Sequence, residues 1–133
     1  MRKIFLIAVV ALSLGGCATF QAVGTAFSLA TKSLTNPVTK NDLYQIESGM
    51  AIVFTALNTY RTACLQGTVD KNCRANIAAV QTYTQQLPPF RDQLRAFVKQ
   101  NDQVNAVLVY NQLVTLIGNA KNAAANAGIN VGG

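Results

Sequence analysis

The sequence predicts an all-α protein, a small antiparallel bundle of three to four helices cross-linked by one disulfide. Apolar residues recur every three or four positions over most of the chain after residue 40, which is the period of an α-helix. The three prolines fall only between such stretches. Beyond residue 17 the chain has two cysteines, Cys64 and Cys73, which allow one intramolecular pairing. We therefore expect one helical domain over residues 41–127, followed by a flexible tail at residues 128–133.

The first helix is predicted to begin after Asn36-Pro37 and to end before Gly67. The residue before a proline avoids the helical conformation, so the break precedes the helix. Thr39 and Asp42 have the spacing of a capping box, and Gly67 stands where a glycine commonly ends a helix. Between them, seven residues alternate steps of three and four positions and form one apolar stripe: Leu43, Ile46, Met50, Val53, Leu57, Tyr60 and Cys64.

A second helix is predicted over residues 71–87, with Asp70 as its N-cap. Its connection to the first helix is short, so the two should be antiparallel neighbours. A disulfide between Cys64 and Cys73 would then cross the turn that joins them, as is common in oxidising compartments. A metal or redox pair is the alternative, but the chain has no histidine and the spacing is far from Cys-x-x-Cys. The predicted inner face comprises Ile77, Val80, Tyr83, Thr84 and Leu87.

One or two further helices are predicted in the C-terminal half. Pro88-Pro89 ends the second helix and can start a third over residues 90–100, because proline is tolerated in a first turn. Asn101-Asp102 then provides either a kink or a new N-cap, and a long, mostly buried helix follows over residues 103–126. Its apolar residues run nearly all round and leave a narrow polar stripe at helical spacing: Asn105, Gln112, Thr115, Asn119 and Asn122.

The first seventeen residues predict export and lipidation. Arg2 and Lys3 precede an apolar run that ends at Leu14. This run is too short to cross about 30 Å of hydrocarbon as a helix. The run stops at Leu14-Gly15-Gly16-Cys17, which resembles the lipobox of bacterial lipoproteins. The resemblance implies that residues 1–16 are a signal peptide and that Cys17 becomes an acylated mature N-terminus, carrying diacylglycerol and palmitate-type chains. An uncleaved anchor with Cys17 as an ordinary thiol is the alternative.

The residues after the cysteine indicate a location and a tether. Ala18 stands where lipoproteins retained in the inner membrane commonly have an aspartate, so the resemblance implies the outer membrane, facing the periplasm. Residues 17–40 are expected to form the lipidated N-terminus and tether. Within them Phe20, Val23 and Phe27 recur at helical spacing, which predicts either a short amphipathic helix at the bilayer surface or a flexible spacer.

The composition excludes several kinds of chemistry. Without histidine there is no His-based acid–base pair, no Ser-His-Asp arrangement and no ordinary zinc site. We expect no enzymatic activity, no metal and no cofactor, and a hydrolase using Ser48 or a carboxylate is disfavoured by the missing base. Asp42, Asp70 and Asp102 stand at predicted helix starts, where capping explains them. Nucleic-acid binding is not expected because the charges are sparse and form no dense basic face.

One charged pattern points to an interaction surface. Arg91, Arg95 and Lys99 repeat every four residues and form a basic stripe along the third helix. It would suit anionic lipid headgroups, peptide carboxylates or an acidic protein, and the alternative is an ordinary solvated face. The tyrosines are expected in the core or at its edge, and the alternative is that one of them marks an interface: Tyr44, Tyr60, Tyr83 and Tyr110.

These observations predict a membrane-anchored periplasmic lipoprotein that acts as a non-catalytic scaffold, tether or partner-binding module. The acyl chains would provide the membrane contact, and the expected partner is a protein. In size and architecture the chain resembles the small helical pilotin lipoproteins that escort secretion-channel subunits, although it shares no motif with them. A phage-encoded exclusion or lysis lipoprotein is the alternative.

Overall fold

The computed structural model describes Leu29 and residues 31–131, and this part of the chain forms four helices. Between these limits there is no strand, only an isolated bridge between Ser33 and Asn36. The all-α prediction is therefore confirmed, with four as the number of helices. The predicted signal peptide, Cys17 and the predicted tether as far as residue 28 lie outside the described residues. The helices are α1 (Lys40–Leu65), α2 (Cys73–Thr84), α3 (Leu87–Lys99) and α4 (Gln103–Asn126).

Helix α1 has the start and the buried face that its sequence predicts. Its N-cap is Thr39, whose hydroxyl accepts a hydrogen bond from the Asp42 backbone N–H at 3.3 Å. In return the Asp42 carboxylate accepts one from the Thr39 backbone N–H at 2.8 Å, which completes the predicted capping box. The apolar stripe is buried as far as Leu57, and Tyr60 and Cys64 continue it as half-buried residues.

The predicted N-cap of α2 is wrong. The helix begins at Cys73, and Asn72 before it makes no side-chain capping hydrogen bond. The Asp70 carboxylate accepts a hydrogen bond from the Asn72 backbone N–H at 3.2 Å, and the Asp70 carbonyl accepts one from Cys73 at 3.0 Å. Asp70 thus stabilises the turn in front of the helix. This turn brings Cys73 back to α1, so its residues are not available to extend α2 towards Asp70.

The boundary between α2 and α3 also differs from the prediction. Helix α2 ends at Thr84 and α3 starts at Leu87, three residues earlier in each case. Pro88 and Pro89 have no N–H to donate to the carbonyls of Thr84 and Gln85, so the hydrogen-bond ladder of α2 cannot continue. In the first turn of a new helix those donors are not needed, and Leu87 is fully buried there.

Helices α1, α3 and α4 are each followed, two residues after their last residue, by a residue in the left-handed conformation. These residues are Gly67, Asn101 and Gly128, with φ of 69°, 57° and 74°. After each of them the next backbone N–H donates to a carbonyl five residues earlier, which is the Schellman arrangement. At Asn101 this turn also positions Asp102 to cap α4, where its carboxylate accepts from the Asn105 backbone N–H at 3.3 Å. Asn101-Asp102 therefore provides a new N-cap rather than a kink.

Helix α4 is the central helix and packs against the other three. Tyr110, Leu113 and Ala120 lie almost completely buried along it. The predicted polar stripe is exposed along its whole length. Val104 and Leu108 are exposed as well, so the solvent side of α4 is partly apolar.

The folded unit extends beyond the predicted domain at both ends, from Leu29 to Val131. Val38, which belongs to the predicted tether, is buried in the core. Ile129 and Val131, which fall in the predicted tail, are buried too. The left-handed turn at Gly128 allows this burial, because it lets the Ile129 N–H donate back to α4 at 2.8 Å.

Candidate functional site

Two side-chain amides on α4 hold the segment that precedes α1. Asn111 accepts a hydrogen bond from the backbone N–H of Lys32 at 2.8 Å and donates one to the carbonyl of the same residue at 2.9 Å. Gln103 accepts from the Val38 N–H at 3.0 Å and donates to the Val38 carbonyl at 3.2 Å. We call Asn111 and Gln103 the amide pair. Each satisfies both backbone groups of one residue, as a neighbouring β-strand would.

The spacing of the amide pair matches the segment that it holds. Eight positions along a helix span about 12 Å. Residues 32–38 would span about 20 Å if fully extended. A turn in which the Asn36 N–H donates to the Ser33 carbonyl at 2.9 Å makes the segment shorter. The segment therefore runs along α4 from Asn111 towards Gln103.

An ion pair joins the same segment to α1. Lys32 Nζ lies 3.1 Å from Asp42 Oδ1, and the two side chains are only 16% and 9% exposed. Burial alone would raise the pKa of Asp42, but hydrogen bonds from the Thr39 backbone, the Lys32 ammonium and the Thr39 hydroxyl outweigh it and lower that pKa, with help from the Lys32 charge. Burial, together with the negative charge of Asp42, raises the pKa of Tyr110. Asp42 is thus a charged group held inside the fold by its partners.

The amide pair was not predicted from the sequence. Asn111 lies beside the predicted polar stripe of α4 rather than on it. A polar residue off the exposed stripe is the one feature of the sequence that could indicate a structural role for Asn111. Gln103 carries no such signal, because a glutamine at the start of a helix is ordinary. The contacts join residues 79 and 65 positions apart, and a helical period does not reveal partners at that separation.

The predicted disulfide lies at the other end of α1. Cys64 and Cys73, nine positions apart, are bonded with a Cα–Cα distance of 5.7 Å. Close by, the Asn76 amide donates to the Tyr60 hydroxyl at 3.1 Å, which gives α1 and α2 a second link. The disulfide prediction is confirmed, and the bond fixes the α1–α2 turn.

The three cations of the predicted basic stripe have different surroundings. Arg91 pairs with its neighbour Asp92 at 2.8 Å. Arg95 pairs with Glu47 of α1, and this hydrogen bond, together with the Glu47 charge, raises the pKa of Arg95. Lys99 is exposed and has no acidic partner among the described residues. Arg95 and Lys99 line a common cavity, whereas Arg91 lies outside its lining.

That cavity has a volume of about 510 Å³ and lies between α1 and α3. Leu43, Tyr44 and Val98 form its apolar walls, and Lys40 adds a further cation. Tyr44 is 65% exposed, so its expected place in the core or at its edge is wrong. It directly follows stripe residue Leu43 and therefore lies about 100° further round the helix, off the buried face. The other tyrosines are buried or half-buried as expected: Tyr60, Tyr83 and Tyr110.

A second cavity, of about 520 Å³, lies between α3 and α4. Its apolar walls are Phe90, Leu108 and Leu116, and its polar lining is made of amide and hydroxyl groups without charged residues. Asn111 of the amide pair belongs to that lining. The two cavities therefore differ in charge although they have similar volumes.

The remaining findings concern metals, membrane spans and relatives. Within residues 31–131 no group of three or more cysteine and acidic side chains is placed to hold a metal ion. None of the described helices is both long and apolar enough to span a bilayer.

In comparisons with known proteins, no family model, no curated protein and no solved structure matches this chain. Ser48, the nucleophile of the alternative hydrolase hypothesis, is exposed on α1.

Proposed function

We propose that this chain is a lipid-anchored periplasmic lipoprotein whose bundle acts as a non-catalytic scaffold or partner-binding module at the membrane. The observation that carries the proposal is the attachment of residues 32–38 to the bundle by the amide pair and by the Lys32–Asp42 ion pair. It leaves eleven residues, 18–28, between Cys17 and Leu29, where the folded unit begins. The twelve residue-to-residue steps from Cys17 to Leu29 span at most about 40 Å.

A short connection suits a protein that acts beside the bilayer. An anchor of three acyl chains is effectively permanent, because each buried methylene contributes about 0.8 kcal/mol. The start of the folded unit, at Leu29, would then stay within about 40 Å of the membrane. A binding surface confined in this way meets a membrane-associated partner at a high effective concentration.

Two further features support the proposal. The Cys64–Cys73 bond favours export, because disulfides persist in oxidising compartments and are rare in the cytosol. All five acidic side chains have structural partners within the fold, which favours a non-catalytic role. Asp42 completes the capping box of α1, Asp102 caps α4, Asp70 stabilises a turn, and Glu47 and Asp92 pair with arginines.

Intact-mass measurement of membrane-extracted protein tests the anchor. We expect residues 1–16 to be absent and Cys17 to carry the mass of a diacylglycerol and an amide-linked acyl chain. Cys17→Ala should accumulate as the unprocessed precursor. The Cys64→Ser/Cys73→Ser variant is the matched control and should be processed and acylated normally. A wild-type chain that retains Met1 and an unmodified Cys17 would overturn the lipoprotein proposal.

A further inference from the structure

We propose that the cavity between α1 and α3 binds a peptide segment of a partner protein that carries a carboxylate next to an apolar side chain. This inference deepens the scaffold function, on which it rests, by naming the class of partner. The cavity is defined by Lys40, Leu43, Tyr44, Glu47, Arg95, Val98 and Lys99.

The size and walls of the cavity suit a side chain and the adjoining backbone. Ligand pockets commonly have volumes of about 300–1,000 Å³, and this one has about 510 Å³. Leu43 and Val98 form an apolar floor that packs against the core. The Tyr44 ring, which is largely exposed, provides an aromatic wall, and tyrosines are enriched in protein interfaces. An apolar side chain of a partner would therefore remove apolar surface from water on entering.

The charges around the cavity favour an anionic ligand. Lys40 and Lys99 are exposed, and neither pairs with an acid within the part of the chain that the structure describes. Arg95 is held in place by Glu47, and a guanidinium has five N–H donors, so donors remain for a ligand. The lining carries three cations and one anion, and a carboxylate is the charge that it complements.

The presence of Glu47 favours a peptide over a membrane surface. A dense layer of anionic headgroups would meet a negative charge within the cavity, which disfavours it. A peptide has both a carboxylate for the cations and backbone N–H donors for the Glu47 carboxylate. The concave shape has the same consequence, since a flat bilayer would contact the rim and leave the floor empty.

Fluorescence anisotropy tests the inference. The protein is the whole mature chain, which begins at Cys17, in non-ionic detergent micelles. The probe is a fluorescein-labelled peptide that ends in Ser-Gly-Glu-Leu with a free terminal carboxylate. The control peptide has Gln in place of Glu and a terminal amide. We expect saturable binding of the acidic peptide that weakens as salt is raised, and no saturable binding of the control peptide.

Matched variants assign the binding to the cavity. Lys40→Gln/Lys99→Gln should raise the Kd about fivefold to tenfold at low salt, as expected for two exposed ion pairs. Lys71→Gln/Arg74→Gln removes the same charge from exposed positions outside the cavity and should leave the Kd unchanged. Tyr44→Ser should weaken binding without a change in charge. Circular dichroism should show all three variants to be folded, because the replaced side chains are exposed.

Several outcomes would overturn the inference. They are the absence of saturable binding, equal binding of both peptides, and equal losses in the two double variants. Competition experiments distinguish a peptide site from a lipid-headgroup site. N-acetyl-leucine, which represents a peptide terminus, should displace the probe. Displacement by glycerol phosphate, which represents a headgroup, but not by N-acetyl-leucine would contradict a peptide ligand. Peptide binding by a chain with an unmodified Cys17 would contradict the lipoprotein proposal and support the peptide site. An acylated chain that binds no peptide would support the lipoprotein proposal and contradict the peptide site.

Discussion

The side-chain amide of Asn111 satisfies both backbone groups of Lys32, at 2.8 Å and 2.9 Å, although the two residues are 79 positions apart. Gln103 makes the same pair of contacts with Val38. Both amides belong to the central helix of the bundle, and both backbone partners belong to the segment that leads from the proposed anchor. That segment is consequently part of the folded unit.

Removal of the Asn111 amide should destabilise the fold. Asn111→Ala leaves the part-buried N–H and carbonyl of Lys32 without their partner, which should cost about 1–3 kcal/mol of unfolding free energy. Asn119→Ala is the matched control, because Asn119 is exposed on the same helix, and it should change stability by less than about 0.5 kcal/mol. Denaturant titration measures both. Equal losses in the two variants would contradict the role assigned to the amide pair.

The Lys32–Asp42 ion pair should make stability depend on acid. The folded state lowers the pKa of Asp42 from its usual 3.8, so the stabilising contribution is complete above that value and is lost as the pH falls through the lower, folded-state pKa. We expect the wild-type free energy of unfolding to decrease as the pH drops below about 4.

Two variants isolate this pH dependence. Asp42→Asn should be less stable at neutral pH and should show a shallower decrease in acid, because its side chain does not titrate. Asp92→Asn removes an exposed acid paired with its neighbour and should keep the wild-type profile. Unfolding titrations at a series of pH values measure the profiles. A profile for Asp42→Asn parallel to that of the wild type would exclude this source of acid sensitivity.

The disulfide should stabilise the bundle without being required for it. Cys64→Ser/Cys73→Ser opens a loop of about ten residues and should lose on the order of 2.7 kcal/mol. Its circular dichroism spectrum should remain helical, because the contacts of α4 with the other helices are intact. In wild-type protein exported normally, thiol labelling after denaturation without reductant should find neither cysteine free. Labelling of both would show that the bond does not form in the cell.

The register of α1 gives a sharp comparison between neighbours. Leu57 is buried and Asn58 is exposed. Leu57→Asp places an unpaired charge in the core and should unfold or strongly destabilise the protein, whereas Asn58→Asp should be nearly neutral. Denaturant titration of the two variants decides the matter. Similar stabilities would mean that the buried face of α1 has been assigned incorrectly.

Local patterns in the sequence predict most of the helical fold. The apolar stripe from Leu43 to Cys64 predicts the buried face of α1 correctly, because all of its residues lie on one side of a long helix. The polar stripe of α4 predicts an exposed face for the same reason. The disulfide follows from the short connection between two predicted helices. The predicted end of α2 lies three residues too late, because Leu87 continues the apolar period of the helix although Pro88 prevents the helix from continuing.

The parts that could not be predicted depend on contacts between distant residues. Ile129 and Val131 are too few to show a period, and their burial depends on the turn at Gly128. Val38 follows a proline and has no periodic neighbours, so nothing local marks it as core. The cavity between α1 and α3 brings Tyr44 of one helix beside Lys99 of another, and only the packing of the two helices places them together.

The most direct test of whether residues 32–38 belong to the folded unit is hydrogen–deuterium exchange at the backbone amides of Lys32 and Val38. The protein is used in its proposed acylated form, held in micelles. We expect both amides to exchange far more slowly than an unstructured chain in the wild type. In Asn111→Ala/Gln103→Ala both should exchange faster, while the buried Leu113 of α4 stays protected and shows that the bundle is intact. Exchange of Lys32 and Val38 at unstructured rates in the wild type would contradict the attachment and the short anchor connection derived from it.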